Sequence, residues 1–247
     1  MDGLPEQARR ALDRARAERF SYAVRVVRAP DGRRVAILGE AHLKLERASA
    51  IGKEVVGAFE LRGVETFQRT QVFGGRALGV VIHVPRAFLR ALSFGTIKDS
   101  TITDAKQLPS GHTVELERAE RVPFGLHVAS AYMTAFFVVA LLATSAPFLW
   151  PMAPALSETI TSLAFAFQVH LLALVPGVLL RRRSWSWIIH PFLGILTLRD
   201  ELMAAGTVRM LEDHPGIGSA VVVMGRAHVQ GYARLLVERY GYQPDEG

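Results

Sequence analysis

Two histidines stand at the same place in the same short pattern. Val35-Ala36-Ile37-Leu38 runs into Gly39-Glu40-Ala41-His42, and Val221-Val222-Val223-Met224 runs into Gly225-Arg226-Ala227-His228. With 21 Gly and 8 His in 247 residues, composition alone gives about 0.7 Gly-x-x-His matches, so the weight comes from context. Each glycine lets the chain turn sharply where a buried strand ends, and each histidine emerges at the strand's C-terminal edge, where open α/β sheets build their sites. A third group joins them: Glu60 follows the apolar run Glu54 to Phe59, read as a strand, and Glu65 is the competing carboxylate. Two neutral imidazoles and a carboxylate suit Zn²⁺, Mn²⁺, Co²⁺ or Fe²⁺ with open positions for water, whose pKa the metal lowers. The same groups suit metal-free hydrolysis, with an imidazole held by a carboxylate acting as base on water. Both chemistries stay open at this point.

The elements that must position these groups follow from patterning. Pro5 to Arg19 reads as a surface helix, and Phe20 to Arg28 and Arg33 to Leu38 as a hairpin closed by Ala29-Pro30-Asp31-Gly32. A helix over Leu43 to Lys53 then leads to the Glu54 to Phe59 strand, an order that implies a parallel crossover. Leu78 to Val84 reads as a strand and Arg86 to Phe94 as a short helix, while the polar stretch from Gly95 to Pro123 gives no clear pattern. Further on, Arg199 to Asp213 reads as a helix, Ser219 to Met224 as a buried strand, and Val229 to Tyr240 as a helix ended by Gly241.

Between the two histidine motifs lie two membrane-length stretches. Val128 to Trp150 is 23 residues without a formal charge, about 34 Å as a helix, against a hydrocarbon core about 30 Å thick. Thr159 to Leu180 is the second, with His170 its sole ionisable group and Pro151 to Glu158 the tight turn between them. For His170, an interhelical hydrogen bond is the favoured role. Trp185 to Leu198 is apolar but too short to span, and its tryptophans suit a membrane interface. Residues 1–123 are thus expected to form the first half of a catalytic-like α/β domain, 124–182 a transmembrane hairpin, and 183–247 an interfacial segment and the second half. The fold class is α/β, a mostly parallel sheet with flanking helices, interrupted by that hairpin.

The net charge of +6 does not indicate a nucleic-acid partner, because much of the excess sits beside the apolar spans, as in Arg181-Arg182-Arg183, and no nucleic-acid motif accompanies it. Arg118 and Arg121 precede the first span and the connecting turn has no Lys or Arg, so the positive-inside rule places both termini in the cytoplasm. Met1 to Arg19 has no apolar h-region, so neither signal peptide nor anchor is expected there. The absence of Cys excludes disulfides, thiolate metal sites and a cysteine nucleophile. The expected partners are the lipid bilayer and a peptide or small-molecule substrate, and Ala140 and Thr144 on the first span are compatible with a homo-oligomer.

Four segments carry a family resemblance: Ile37-Leu38-Gly39-Glu40-Ala41-His42, Phe59-Glu60-Leu61, Leu198-Arg199-Asp200-Glu201-Leu202-Met203-Ala204, and Val223-Met224-Gly225-Arg226-Ala227-His228-Val229-Gln230-Gly231 with Tyr240-Gly241-Tyr242. In order and spacing they resemble the superfamily of TraB/GumN proteins, Tiki proteases, ChaN-like haem-binding lipoproteins and erythromycin esterases. The resemblance implies an α/β domain whose two Gly-x-x-His histidines, acidic residue and arginine face one cleft, as in a metal-dependent protease or a water-activating hydrolase. His42, Glu60 and His228 match the ligand or base positions, Arg199 the oxyanion or substrate stabiliser, and Glu40 the Gly-Glu-x-His form of the ChaN and esterase branches. TraB and Tiki members usually carry Thr at the position of Glu40, and TraB-type members usually place their membrane helices at the C-terminal end.

Overall fold

The N-terminal hairpin forms where the sequence places it. In the computed structural model, β1 (Tyr22–Arg28) and β2 (Arg34–Glu40) pair antiparallel, with Tyr22 opposite Glu40 and Arg28 opposite Arg34. The turn closes because Gly32 takes φ +89° and the Asp31 carboxylate accepts the Arg33 backbone N–H at 3.0 Å. The structure describes residues 4–41, 46–66, 71–77, 79–80, 101–119, 121–176 and 184–245.

Helices α1 (Glu6–Ala17) and α2 (Glu46–Gly57) flank this hairpin. The α2 range corrects the expected Glu54 to Phe59 strand. Ala48, Ile51, Gly52, Val55 and Val56 recur at helical spacing, and the short Val55-Val56 run is the buried face of a helix rather than a strand interior. The strand comes later, as β3 (Leu61–Val64). Of the expected Leu78 to Val84 strand, residues 79–80 are helical and the rest lies outside the described residues, as does the expected Arg86 to Phe94 helix. The patternless polar stretch yields a short helix, α3 (Thr101–Gln107), and β4 (His112–Glu115).

Two long apolar helices follow, α4 (Phe124–Leu149) and α5 (Pro154–Leu171), then a 3-10 turn (Ser184–Ile188) and α6 (Phe192–Asp213). The apolar stretch from Trp185 to Leu198 is therefore divided between that turn and the first turns of α6. The chain closes with β5 (Ser219–Gly225), α7 (Val229–Tyr240) and the short β6 (Gln243–Pro244).

The strands form one six-stranded sheet in the order β4-β3-β5-β2-β1-β6. β4, β3, β5 and β2 run parallel, and the β1 pairings are antiparallel. Alternation assigns each central side chain to one of two apolar layers. Val35 and Ile37 of β2 and Ala220, Val222 and Met224 of β5 pack with Met203, Tyr232 and Leu236 from α6 and α7. Ala36, Leu38, Val221 and Val223 pack with Leu12, Val55 and Phe59 on the α1, α2 and α3 side. Both faces of β5 are covered, which is why it reads as an unbroken apolar run. Each fully buried Val, Ile or Leu here contributes about 1.5–3 kcal/mol.

The chain divides into two compact units. The first comprises Met1–Phe67, Ala87–Ala119 and Asp200–Gly247 and holds the sheet; the second comprises Gln68–Arg86 and Glu120–Arg199. In the second unit, α4 and α5 pack as a hairpin, with the Ser157 hydroxyl donating to the Ala146 carbonyl at 2.8 Å. Two segments are long and apolar enough to cross a membrane, Phe124–Thr144 and Pro154–Pro176. Their outer faces are bare, with Leu141 69% and Phe165 66% exposed, unlike a helix in a soluble core. Tyr132 on α4 and His170 Nδ1 on α5 share a hydrogen bond of 2.5 Å, the interhelical link expected of His170. The His170 ring stacks on His190 at 4.6 Å between centroids. His190 is fully buried, its Nδ1 accepts the Phe192 N–H at 3.2 Å and its Nε2 has no hydrogen-bond partner among the described residues. Burial, with the neighbouring His170 imidazole adding to it, pushes the His190 pKa down to about 4.

Candidate active site

The two Gly-x-x-His segments leave neighbouring parallel strands side by side. Gly39 lies opposite Met224 and Glu40 opposite Gly225, and the Arg226 N–H donates to the Glu40 carbonyl at 2.9 Å. From here the chain departs to opposite faces: β2 leads to α2 on one layer, β5 to α7 on the other. Connections that part in this way open a crevice at the C-terminal ends of the strands, the usual place for a site in an open α/β sheet. The first glycine is needed for the second motif. A Cβ on Gly39 would sit 2.1 Å from Val229 Cγ2 and 3.1 Å from the Arg226 Cα.

His228 is the N-cap residue of α7 and is 4% exposed. Its Nδ1 lies 2.6 Å from Asp200 Oδ1, a buried carboxylate on α6. The ring nitrogen is the donor in this pair, because the carboxylate can only accept, and the bond fixes both the tautomer and the ring orientation. Gly231 makes the approach feasible, since a Cβ there would lie 2.1 Å from Asp200 Oδ2. Beneath, the Tyr232 hydroxyl bonds the Thr207 hydroxyl at 2.6 Å. Burial pushes the Tyr232 pKa well above an ordinary phenol, and the Asp200 charge acts in the same direction.

The other ring nitrogen faces a second carboxylate. Glu65 directly follows β3, its backbone N–H donates to the Val223 carbonyl at 2.9 Å, and its side chain accepts the Gly225 N–H. Glu65 Oε1 stands 3.7 Å from His228 Nε2, with both side chains largely buried. That distance exceeds a hydrogen bond, so Nε2 and the carboxylate stand beside one another without bonding directly.

The expected site residues fall unequally. Glu60 is exposed and precedes β3, at the strand end opposite His228, because the strand starts at Leu61. Glu65 occupies the C-terminal end that Glu60 was expected to hold. Glu40 is 2% exposed and accepts the Thr101 N–H at the start of α3 at 2.8 Å. Arg199 is buried on α6 one residue before Asp200, and falls in the second compact unit. His42 lies outside the described residues. Asp200 stands in the sequence without a role of its own, inside the Leu198 to Ala204 segment; its sequence signal is Gly231, three residues after His228, which clears space for a side chain from another element.

Among the described residues no cluster of three His, Asp or Glu side chains could hold a metal ion. His228 Nε2 and Glu65 are two donors, one fewer than the three protein ligands of an open catalytic zinc site. No protein-family model matches the chain, and neither a curated protein nor a solved structure matches it.

Proposed function

We propose that the chain is a membrane-anchored hydrolase of the TraB/Tiki-like kind, acting on peptides or similar small substrates. The observation that carries the reading is the buried Asp200–His228 pair at 2.6 Å with Glu65 across from Nε2, at the ends of adjoining parallel strands. Asp200 holds the proton on Nδ1, which leaves Nε2 as an acceptor. A water that donates to Nε2 from the open side of the ring loses its proton to His228 as it attacks the substrate carbonyl, and the resulting imidazolium is stabilised by the Asp200 and Glu65 charges. His228 then gives that proton to the leaving group. Should a divalent metal bind, Nε2 of His228 and Glu65 would hold it with His42 as the third donor, and it would lower the pKa of a bound water. Arg199 is assigned to substrate or oxyanion binding by resemblance alone.

The two apolar helices support an integral membrane protein, and the arginines flanking them support cytoplasmic termini. Because the chain has no Cys, single cysteines at the exposed Ser110, Ala155 and Gln243 can be labelled from outside intact cells. Ala105 is unsuited, being fully buried. Labelling at Ala155 alone is expected, whereas labelling at Gln243 without Ser110 would part the two halves of the site.

The activity test is turnover of a peptide and ester library by the full-length chain and by His228→Ala, with and without chelator. Turnover by the wild type that His228→Ala abolishes is the expected result, and the chelator arm separates metal-assisted from metal-free chemistry. Saturable ligand binding without turnover would replace the hydrolase with a non-enzymatic membrane regulator using the same pocket.

A further inference from the structure

The site lies at one edge of the sheet, and that edge also carries an unusual loop. Phe20 is 95% exposed, and among the described residues of the sheet-bearing unit no other large hydrophobic side chain is bare. The adjoining Ser21 carbonyl accepts the Ala41 N–H at 2.8 Å, one residue before His42, so the loop abuts the first histidine motif. Arg226, from the second motif, donates to the Arg19 and Phe20 carbonyls at 2.8 and 3.1 Å. The loop is therefore fixed with its phenyl ring outward. Those acceptors are uncharged, and among the described residues no carboxylate pairs with the Arg226 cation. Arg19 is exposed and no ion pair to a carboxylate is formed by it among the described residues, whereas Arg14 and Arg16 pair with Glu54 and Asp13.

We propose that Arg19, Phe20 and Arg226 form a docking rim that seats this edge of the sheet on the acidic headgroup layer of the bilayer. An exposed aromatic ring on a loop that carries one arginine and is held by a second matches that layer in both respects: the ring enters the acyl boundary while the cations stay among the phosphates. A membrane is at hand for a chain with two helices of spanning length. Docked in this way, the histidine motifs face substrates held at or emerging from the membrane surface. The proposal rests on the membrane reading and on the sheet edge, and its test requires no turnover.

The full-length chain is reconstituted into phosphatidylcholine vesicles with or without phosphatidylserine at about one lipid in three, the acidic surface of an inner leaflet. A fluorophore on Ala17→Cys, exposed at the end of α1, or on Gly216→Cys, exposed before β5 at the opposite edge, is read against quencher-bearing lipids. Quenching at Ala17 in the acidic vesicles, absent at Gly216, is expected. Arg19→Gln should lower the docked-to-undocked ratio about fivefold, the equivalent of ~1 kcal/mol for one cation at an acidic surface. Phe20→Ser should lower it by at least as much. Equal quenching at the two edges, indifference to phosphatidylserine, or quenching unchanged by both substitutions would overturn the proposal. A loss of docking that leaves library turnover intact, or the reverse, separates this proposal from the hydrolase reading.

Discussion

Replacing Asp200 by Asn keeps the shape of the side chain and removes its charge. The bond it makes is short, 2.6 Å from Oδ1 to His228 Nδ1, and both residues are more than nine-tenths buried. A charge-assisted bond of that kind contributes about 1.5–3 kcal/mol, which corresponds to roughly 10- to 150-fold in the population of the oriented ring or in turnover. Asn also has two ways to face the imidazole. With its carbonyl toward Nδ1 the original tautomer survives with a weaker hold. With its NH₂ there, Nδ1 becomes the acceptor, the proton moves to Nε2, and the nitrogen facing Glu65 can no longer take a proton; losses near 10⁴-fold are then expected. Nitrogen-15 NMR of the imidazole reads the tautomer directly, without knowledge of the substrate, and the library assay reads the consequence. The wild-type ring should show Nδ1 protonated, and the variant should show exchange between tautomers or inversion together with the loss of turnover. An unchanged tautomer and wild-type turnover in a folded Asp200→Asn protein would refute the role assigned to Asp200.

The two neighbouring carboxylates should part company. Glu65→Gln retains an acceptor for the Gly225 N–H and so preserves the strand end, yet lowers turnover by about 10²-fold or more through loss of the charge beside Nε2, whereas Glu60→Gln should match the wild type in the same assay. Gly39→Ala drives a Cβ into Val229 and the Arg226 backbone, a destabilisation of about 1–3 kcal/mol expected as a lowered Tm together with an altered His228 NMR signal; an unshifted Tm would show that the two motifs do not abut. His190 gives an acid-sensitive second unit. Its folded pKa of about 4 lies below the ordinary 6.5, so the stability from keeping it neutral is complete above pH 6.5 and is lost as pH falls towards 4, about 3 kcal/mol in all. His190→Asn, which keeps an acceptor for the Phe192 N–H but does not titrate, should flatten that part of the Tm-against-pH curve in detergent.

Much of the sheet was legible because its central strands carry their own signals. β2 and β5 are unbroken apolar runs ended by glycine, and both faces of each are covered, so periodicity and turn chemistry agree. Val55-Val56 misled because two adjacent β-branched residues look the same on a helix face buried from one side as in a strand, and only the spacing back to Ala48 and Ile51 separates the two. That misplacement set Glu60 at the wrong end of β3 and left Glu65, the carboxylate at the C-terminal end, as only the competing choice. β4 was illegible for another reason: its exposed and half-buried edge residues, His112 to Glu115, show no alternation. His228 was found through its motif. Asp200 was not, because the partner of a buried histidine is chosen by the crossing of α6 over α7, a tertiary event marked in the sequence only by the vacancy at Gly231.

The most direct test of the central claim, that Asp200 acts through His228 on the reacting water, is a double-mutant cycle in kcat/KM on whichever library substrate the wild type turns over best. Asp200→Asn and His228→Ala should each lower turnover strongly, and Asp200→Asn added to His228→Ala should cost nothing further, because the ring it orients is gone. Additive losses would mean that Asp200 acts independently of His228, and full turnover in His228→Ala would place the chemistry elsewhere in the chain.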